Sequence, residues 1–232
     1  MTPQQVQAWR RNLRRQLIEK REALPRSTLY EYRQRIDFHL QRAFPDLAHE
    51  VIAFCWPYKN EYDARHLLAA LRRRGAATAL PAIVAPGAPL AFRQWRPGVT
   101  LEAGPLGIPY PRDAPEIRPD SVLLPVVGFD AAGYRLGYGG GYFDRTLAAM
   151  ARRPRVIAIG YESLFVPTIH PQPHDIPVDY VVTERGLYVR RSGEGLRFID
   201  ASTQAYSSPP CYAAGIAPDY FGELPPAKPG AA

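Results

Sequence analysis

Short apolar runs alternate with amphipathic segments along the chain, and this alternation restricts the fold more than any other feature of the sequence. Apolar residues recur at helical spacing over residues 4–23 and 62–74, and a further helix is expected over 27–43, with Ser27 as its cap. The runs of strand length are Val51–Trp56, Ala76–Val84, Leu90–Trp95, Arg155–Tyr161 and Tyr180–Thr183. This order predicts an α/β protein with three α/β/α layers around a largely parallel central sheet.

The residues from 201 onwards differ from the rest in composition. They hold six prolines and many small residues, with little apolar material to pack. Such a composition is typical of a segment without a core of its own. We therefore expect a single domain over residues 1–200 and a partly disordered tail over residues 201–232.

Composition also bears on the compartment. No apolar run reaches the roughly 18 residues that a membrane span needs, and the arginine-rich start contains no apolar signal segment. The two cysteines, Cys55 and Cys211, lie far apart without metal-ligand spacing, which favours free thiols in a reducing compartment. We expect a cytoplasmic protein with no membrane partner.

The net charge of +7 is concentrated near the start of the chain, where residues 1–42 hold ten Lys or Arg against four acids. Arg10, Arg14 and Arg21 share one helix face, because they are spaced by four and seven residues. A basic face of this kind either binds an anionic partner or is a solvated helix surface. No RNP, KH or zinc-finger pattern is present, so a nucleic-acid partner is not expected.

A glycine-rich segment is the strongest candidate for a functional site. It lies between Arg135 and Arg145, after the apolar run Val122–Phe129 and before a helix predicted over residues 142–153. Its glycines are Gly137, Gly139, Gly140 and Gly141. A strand, a glycine loop and a helix start together form a seat for phosphate, because glycines allow close approach and helix N–H groups point at the anion. The alternative is a flexible glycine turn that binds no ligand.

This loop matches neither of two common phosphate-binding motifs in full. The Walker motif requires a lysine after its glycines, and none is present. The dinucleotide fingerprint matches at Gly137 and Gly139 but has Tyr142 at its third glycine, while Glu162 ends the next predicted strand, where a ribose-binding acid is expected. A nicotinamide- or flavin-dependent oxidoreductase therefore remains as an alternative at this point.

A longer pattern around the loop is more specific. The segment Phe129-Asp-Ala-Ala-Gly-Tyr-Arg-Leu-Gly-Tyr-Gly-Gly-Gly-Tyr-Phe-Asp-Arg145 resembles the signature F-D-x-x-G-x-R-L-G-x-G-x-G-Y-Y-D of the 5-formyltetrahydrofolate cyclo-ligase (methenyltetrahydrofolate synthetase) family. The resemblance covers about residues 8–190. Its further parts are Arg10–Arg14, Asn60–Asp63, Phe92–Trp95, Gly107–Pro111, Gly160–Glu162 and Pro173–Asp179.

The resemblance implies an enzyme that uses ATP and Mg²⁺ to close the formyl group of folinic acid (5-formyltetrahydrofolate) onto N10, giving 5,10-methenyltetrahydrofolate through a phosphorylated formyl group. It assigns ATP binding to Arg10, Arg14, Arg135, Gly137, Tyr138, Gly139, Gly140, Gly141, Tyr142 and Phe143. Arg14 and Arg145 would be catalytic, since phosphoryl transfer needs positioning and charge neutralisation. Two departures stand out: Arg10 replaces a lysine, and Gly140 replaces a lysine that some relatives carry.

The resemblance also implies the folate and metal ligands. Glu61 would accept hydrogen bonds from the pterin, Tyr142 and Trp95 would line the substrate site, and Asp144 and Asp175 would bind Mg²⁺. His174 is more readily explained as a structural residue than as a base. A monomer is expected. A relative that binds folate or nucleotide without turnover stays as a further alternative.

Overall fold

The computed structural model describes residues 1–104 and 107–199, so the predicted tail lies outside the described part. Its helices are α1 (Pro3–Glu22), α2 (Arg26–Ala43), α3 (Arg65–Arg73) and α4 (Tyr142–Ala149), with 3-10 turns at Pro45–His49 and Glu162–Leu164. In these residues no helix is long and apolar enough to cross a membrane. Cys55 is a free thiol, and Cys211 lies in the part that is not described.

The strands assemble into one large sheet and two small ones. They are β1 (Val51–Phe54), β2 (Ala77–Ile83), β3 (Leu90–Gln94), β4 (Leu101–Ala103), β5 (Pro109–Pro111), β6 (Ser121–Pro125), β7 (Gly128–Asp130), β8 (Arg135–Leu136), β9 (Arg155–Ile159), β10 (Phe165–Val166), β11 (Tyr180–Thr183), β12 (Gly186–Arg191) and β13 (Gly195–Ile199). Within the described residues the large sheet has eight strands in the order β13-β12-β11-β9-β6-β1-β2-β3. The central strands β2, β1, β6, β9 and β11 are parallel, and β3, β12 and β13 add antiparallel edges.

Side chains alternate between the two faces of the large sheet, and each face is covered by helices. Ile52, Leu123 and Ile157 point to the face that packs against α1, α2 and α3. Ala53 and Val122 point to the other face, where α4 packs through its own buried leucine. Each fully buried aliphatic side chain stabilises the fold by about 1.5–3 kcal/mol. The predicted three-layer α/β/α architecture with a largely parallel sheet is confirmed.

Several predicted boundaries were wrong, each for a local reason. Ser27 does not cap α2, whose N-cap is Pro25 without a side-chain bond. The predicted helix over 142–153 ends at Ala149, because Met150 already adopts extended backbone with a ψ of 120°. The proline- and glycine-rich region 97–119, for which no strand was predicted, contains the β4–β5 hairpin. The edge strands β12 and β13 were missed, because they are only partly buried and carry no continuous apolar run.

The apolar run Val122–Phe129 is not one strand. The Val126 N–H still donates to Ile159 of the large sheet, whereas the Val127 N–H donates to Leu136 of β8. The chain therefore leaves the large sheet between these residues and forms the β7–β8 hairpin, which belongs to a three-stranded sheet with β10. This hairpin, and not β6 directly, leads into the glycine loop.

Asp130, which precedes the glycine loop by several residues, holds a tight turn of the backbone. Its buried carboxylate accepts hydrogen bonds from the backbone N–H groups of Ala132, Tyr134 and Ile169 at 3.0–3.1 Å. Gly133, with a φ of +84°, completes the tight turn that these bonds hold. The first part of the signature segment thus fixes the turn that aims the glycine loop.

Candidate active site

A cleft of about 1390 Å³ opens where β1 and β6 end. Cys55 and Trp56 follow β1 at its wall, and Leu124 and Pro125 close β6 beside them. One side of α1, the glycine loop and the first turn of α4 form further walls. The carboxyl ends of parallel strands are the usual ligand-binding edge of such sheets, so this cleft is the candidate active site.

The backbone of the glycine loop needs glycine at two positions. Gly139 has a φ of +97°, and Gly141, the N-cap of α4, has a φ of +62°. A Cβ at Gly141 would lie 2.9 Å from a guanidinium nitrogen of Arg145, and one at Gly139 would lie 3.3 Å from the guanidinium carbon of Arg14. No side chain caps α4, so its first N–H groups are available to an anion.

Arg14 connects α1 to this loop. Its Nε donates to the backbone oxygen of Gly137 at 2.6 Å. Burial, together with the positive charges of Arg10 and Arg11, lowers the pKa of Arg14 from its ordinary value. Arg10, Arg11 and Arg14 bring three positive charges to the α1 side of the cleft, and such a cluster favours binding of a polyanion such as a nucleotide phosphate chain.

The two predicted metal ligands each lie beside a predicted phosphate ligand. Asp144 Oδ1 accepts from Arg135 Nη2 and from the backbone N–H of Ile176, both at 3.0 Å. Asp175 accepts from both terminal nitrogens of Arg10. Although burial raises the pKa of Asp175, the hydrogen bonds from Arg10 and the Gln172 N–H outweigh it and lower the pKa. All four side chains line the cleft.

These carboxylates suit Mg²⁺ only in the presence of further oxygen ligands. Within residues 1–104 and 107–199 no group of three His, Cys, Asp or Glu side chains is placed to hold a metal ion. Mg²⁺ commonly takes one or two protein carboxylates and fills its remaining positions with phosphate oxygens and water. The donor set of Asp144 and Asp175 fits a metal that arrives with a nucleotide.

Arg145 and Tyr142 occupy the space beside Gly140. Arg145 Nη2 donates to the backbone oxygen of Gly140 at 2.7 Å, and its guanidinium carbon lies 4.9 Å from the centre of the Tyr142 ring. A Cβ at Gly140 would lie 2.8 Å from Tyr142 Cδ2. A longer side chain at this position would therefore displace Tyr142, and Arg145 already brings a positive charge to the backbone here.

Glu61 lies on the turn after β1, opposite the glycine loop. Its Oε1 accepts from the Tyr138 hydroxyl at 2.7 Å, and its Oε2 accepts from the Tyr58 N–H at 3.1 Å. Arg21 approaches Oε1 to 3.5 Å. Burial raises the pKa of Glu61 above its ordinary value, and Arg21 and Tyr138 oppose this shift. Because Glu61 also lines the cleft, it can accept from the N–H groups of a ligand there.

The structure brings most of the predicted residues together, with two exceptions. Trp95 is only 7% exposed and packs edge-on against Phe54 and Trp56. It is not among the described residues that line the cleft, so the structure places it in the core, whereas the half-buried Trp56 lines the cleft. Arg145 is likewise not among the described residues that line the cleft, and its guanidinium contacts the backbone oxygen of Gly140.

Two features of the site were not assigned from the sequence. Arg21 was placed on the same helix face as Arg10 and Arg14, yet its contact with Glu61 was not foreseen. Tyr138 was assigned to ATP, whereas its hydroxyl contacts Glu61, the residue assigned to the folate. The seven-residue spacing from Arg14 to Arg21 was the available signal for the position of Arg21.

His174 has a 75% exposed side chain, and its Nε2 lies 4.0 Å from Asp175 Oδ1.

The geometry speaks against the dinucleotide fingerprint. That motif joins a strand of the main sheet directly to a helix through the glycine loop, whereas the β7–β8 hairpin intervenes here. Glu162, the expected ribose ligand, accepts hydrogen bonds from Thr183, Arg185 and Tyr188 instead. It is not among the described residues that line the cleft.

Comparisons with known proteins give these residues a family context. The model of the 5-formyltetrahydrofolate cyclo-ligase family matches residues 6–184. The 5-formyltetrahydrofolate cyclo-ligase of Mycolicibacterium smegmatis is 34% identical over 139 residues, which are 56% of this chain and 66% of that one. The enzyme of the same name from Escherichia coli K12 is 31% identical over 144 residues, 59% of this chain and 79% of that one. The NMR structure of Aquifex aeolicus 5,10-methenyltetrahydrofolate synthetase superposes with a TM-score of 0.67 at 25% identity, covering 85% of this chain and 99% of that one.

Proposed function

Because the chain belongs to the 5-formyltetrahydrofolate cyclo-ligase family, a family of ligases, we propose that it cyclises 5-formyltetrahydrofolate to 5,10-methenyltetrahydrofolate and consumes ATP with Mg²⁺. The new bond joins N10 to the formyl carbon. The products besides the folate are ADP and phosphate.

The chemistry explains why ATP is needed. The formyl oxygen is a poor leaving group and N10 is a weak nucleophile. Transfer of the γ-phosphoryl group to the formyl oxygen turns that oxygen into part of a phosphate ester. N10 then attacks the formyl carbon, the C–O bond breaks, phosphate leaves with the oxygen, and the N10 proton passes to the phosphate or to water. Such a reaction asks the protein mainly for positioning and charge neutralisation.

The observation that carries this proposal is the pairing of each acid with an arginine beside one glycine loop, Asp144 with Arg135 and Asp175 with Arg10. A metal–nucleotide complex presents a cation to the carboxylates and anions to the guanidinium groups. Each carboxylate can therefore exchange its arginine for the metal cation. Each arginine can exchange its carboxylate for a phosphate. When bound, Mg²⁺ would neutralise phosphate charge, and Asp144 and Asp175 would hold it.

The phosphate chain would lie along Gly137–Gly141, where Arg14 holds the loop. Arginine forms bidentate bonds with phosphate oxygens, so Arg10 in place of a lysine retains both charge and reach. Arg145 would act from behind the loop by fixing the backbone of Gly140, and Tyr142 and Phe143 line the cleft next to the first turn of α4.

The pterin would lie at the other end, against Glu61. A carboxylate offers two oxygens with two lone pairs each, and Tyr138 and Tyr58 occupy one site on each oxygen. The remaining acceptor sites match the adjacent ring N–H and amino groups of a pterin. The apolar lining of the cleft includes Trp56, Ile83 and Ile108, which suits a flat heterocycle.

A spectrophotometric assay with folinic acid tests the proposal. We expect the absorbance of the methenyl product to grow only when ATP and Mg²⁺ are both present. A folded protein that yields no product at saturating ATP would contradict catalysis, and measurable folate binding in that case would favour a relative that binds without turnover. The cytoplasmic location and the monomeric state stay predictions from the sequence, and size-exclusion chromatography tests the second.

A further inference from the structure

Arg21 is among the most deeply buried large side chains of the described residues, with 1% of its surface exposed. It lies in the last turn of α1. A charged group is unfavourable in the protein interior unless it is paired and fully hydrogen-bonded. The reason for placing an arginine here must therefore lie in what its guanidinium holds.

The guanidinium contacts three separate segments. Its Nε donates to the backbone oxygen of Lys59 at 2.8 Å on the turn after β1. Its Nη1 donates to the backbone oxygen of Val126 at 3.2 Å, where the chain leaves the large sheet. Its Nη2 donates to the hydroxyl of Tyr138 at 2.6 Å, within the glycine loop.

The turn after β1 needs such support. Lys59 and Asn60 have φ values of +50° and +58°, a conformation that side chains other than glycine adopt at an energetic cost. The carbonyl of Lys59 points at the guanidinium, and Asn60 is held by the Tyr161 hydroxyl at 3.0 Å. Glu61 comes directly after this strained pair, so the position of its carboxylate depends on them.

We propose that Arg21 is a positioning residue that locks Glu61 and Tyr138 to each other, so that the pterin end and the phosphate end of the cleft act as one unit. The hydroxyl of Tyr138 accepts from Arg21 and donates to Glu61, which makes Tyr138 the link between the two charges. The inference rests on the proposed function, because it assigns Glu61 to the folate.

The charged surroundings of Glu61 make this role testable by pH. The groups that face its carboxylate are Arg21 from α1, Tyr138 from the glycine loop, Cys55 after β1 and Tyr161 after β9. Of these, Arg21 is the cation. Burial already raises the pKa of Glu61, and loss of Arg21 raises it further. Higher pH is then needed to ionise the carboxylate that accepts from the pterin.

The experiment measures the dissociation constant of 5-formyltetrahydrofolate by calorimetry as a function of pH, with turnover assayed separately. In Arg21→Met, which keeps volume without charge, we expect binding at neutral pH to weaken about a hundredfold, with tight binding shifted to higher pH. In Tyr138→Phe, which removes only the linking hydroxyl, we expect about a tenfold loss. The double variant should lose less than the product of the two, since both act through Glu61.

Two further variants keep the outcome clear. Arg21→Lys retains the charge but not the fork that reaches three segments, so we expect weakened binding with a pH profile close to that of the unchanged protein. Lys20→Met removes a neighbouring cation that bonds the backbone of Ser163 outside the cleft, and should change neither binding nor turnover. If Arg21→Met does not fold, Arg21→Lys and Tyr138→Phe carry the test.

The outcomes separate the two proposals. Turnover by the unchanged protein, with equal folate binding and equal pH profiles in folded Arg21→Met and Tyr138→Phe, would overturn the role of Arg21 alone. Binding without turnover would overturn the proposed reaction and leave the binding comparison valid. Failure of the unchanged protein to bind folinic acid would overturn both.

Discussion

Arg14 and Gly137, which are 123 positions apart in sequence, are joined by a hydrogen bond of 2.6 Å from the guanidinium Nε to the backbone oxygen. Arg14 lines the cleft, and its terminal nitrogens lie beside Gly139 in the loop that is proposed to hold phosphate. One side chain thus both fixes the loop and offers charge to the ligand. Its two contributions can be separated by substitution.

We expect Arg14→Met to lower kcat/KM for ATP by a hundredfold or more, in line with the roughly 100- to 1000-fold effect of removing one donor that stabilises developing charge. Arg14→Lys should recover part of this loss, because charge is retained without the planar fork. Steady-state kinetics at varied ATP concentration give both values. Arg26→Met, at the exposed start of α2, is the control, and equal kinetics for the folded Arg14 and Arg26 variants would contradict the assignment.

Gly141 and Gly137 provide a matched pair for the backbone of the loop. Gly141→Ala places a Cβ at a φ of +62° and 2.9 Å from Arg145, whereas a Cβ at Gly137 meets nothing within 4 Å. We expect Gly141→Ala to lower the free energy of unfolding by about 1–2 kcal/mol. Gly137→Ala should change it by less than about 0.5 kcal/mol. Urea unfolding of both variants checks this, and equal losses would show that φ does not limit the loop.

Asp144 and Asp130 both belong to the signature segment, and the structure gives them different tasks. Asp144→Asn should reduce turnover strongly with a smaller effect on the unfolding free energy, because the amide oxygen can still accept from Arg135 and from the Ile176 N–H. Asp130→Asn should instead destabilise the fold by about 1–3 kcal/mol, because an amide nitrogen would face the backbone N–H groups that Asp130 accepts. Turnover and thermal unfolding are measured on both variants. An Asp144 variant that lost stability and activity in equal measure would support a purely structural role.

The contrast between these two aspartates shows what the sequence could and could not predict. The motif predicted which residues would lie around the glycine loop, and the alternation of apolar runs predicted the layers and the parallel sheet. A motif does not distinguish an acid that binds a ligand from one that accepts backbone hydrogen bonds. Asp130 belongs to the same motif as Asp144, and only the three backbone N–H groups that donate to it show that it holds a turn.

The sequence also did not predict how deeply some charged and aromatic side chains are buried. Helical spacing placed Arg21 on the same face as Arg14, but its environment depends on the turn after β1 and on Tyr138, which are distant in sequence. The assignment of Trp95 to the substrate site met the same difficulty. Trp95 directly follows β3 and packs on the α3 face of the sheet, not at the cleft. In both cases the environment of the side chain depends on packing between segments that are distant in sequence, and a sequence pattern does not contain that information.

Asp63 predicts a pH dependence of stability. Its carboxylate accepts hydrogen bonds from the backbone N–H and the guanidinium of Arg65 at the start of α3. Although burial raises the pKa of Asp63, these bonds outweigh it and lower the pKa below 3.8. A lowered folded-state pKa means that the stabilisation is fully present above the ordinary pKa and is lost as pH falls through the folded value.

Asp63→Asn should therefore be less stable than the unchanged protein by about 1 kcal/mol at neutral pH, and the difference should shrink as the pH falls below 3.8. Urea unfolding between neutral pH and strong acid measures it. Asp113→Asn removes an exposed carboxylate and should stay within about 0.5 kcal/mol at neutral pH. A stability difference for Asp63→Asn that is constant with pH would exclude the ion pair as its cause.

The pairing of Asp175 with Arg10 predicts that nucleotide and metal bind cooperatively. Without metal, the carboxylate of Asp175 repels phosphate and keeps Arg10 paired. Without nucleotide, Asp144 and Asp175 are both paired with arginines and therefore hold Mg²⁺ weakly. Calorimetry should therefore show weak binding of either ligand alone and tighter joint binding, with a coupling free energy of about 1–3 kcal/mol.

Asp175→Asn removes the repulsion and releases Arg10. We therefore expect this variant to bind ATP more tightly than the unchanged protein when Mg²⁺ is absent, and its affinity for ATP to increase less when Mg²⁺ is added. Asp179→Asn is the matched control, because Asp179 bonds Arg153 and the Val156 N–H away from the lining residues. Weaker binding of metal-free ATP to the Asp175 variant would show that this carboxylate supports the nucleotide directly and does not compete with it for Arg10.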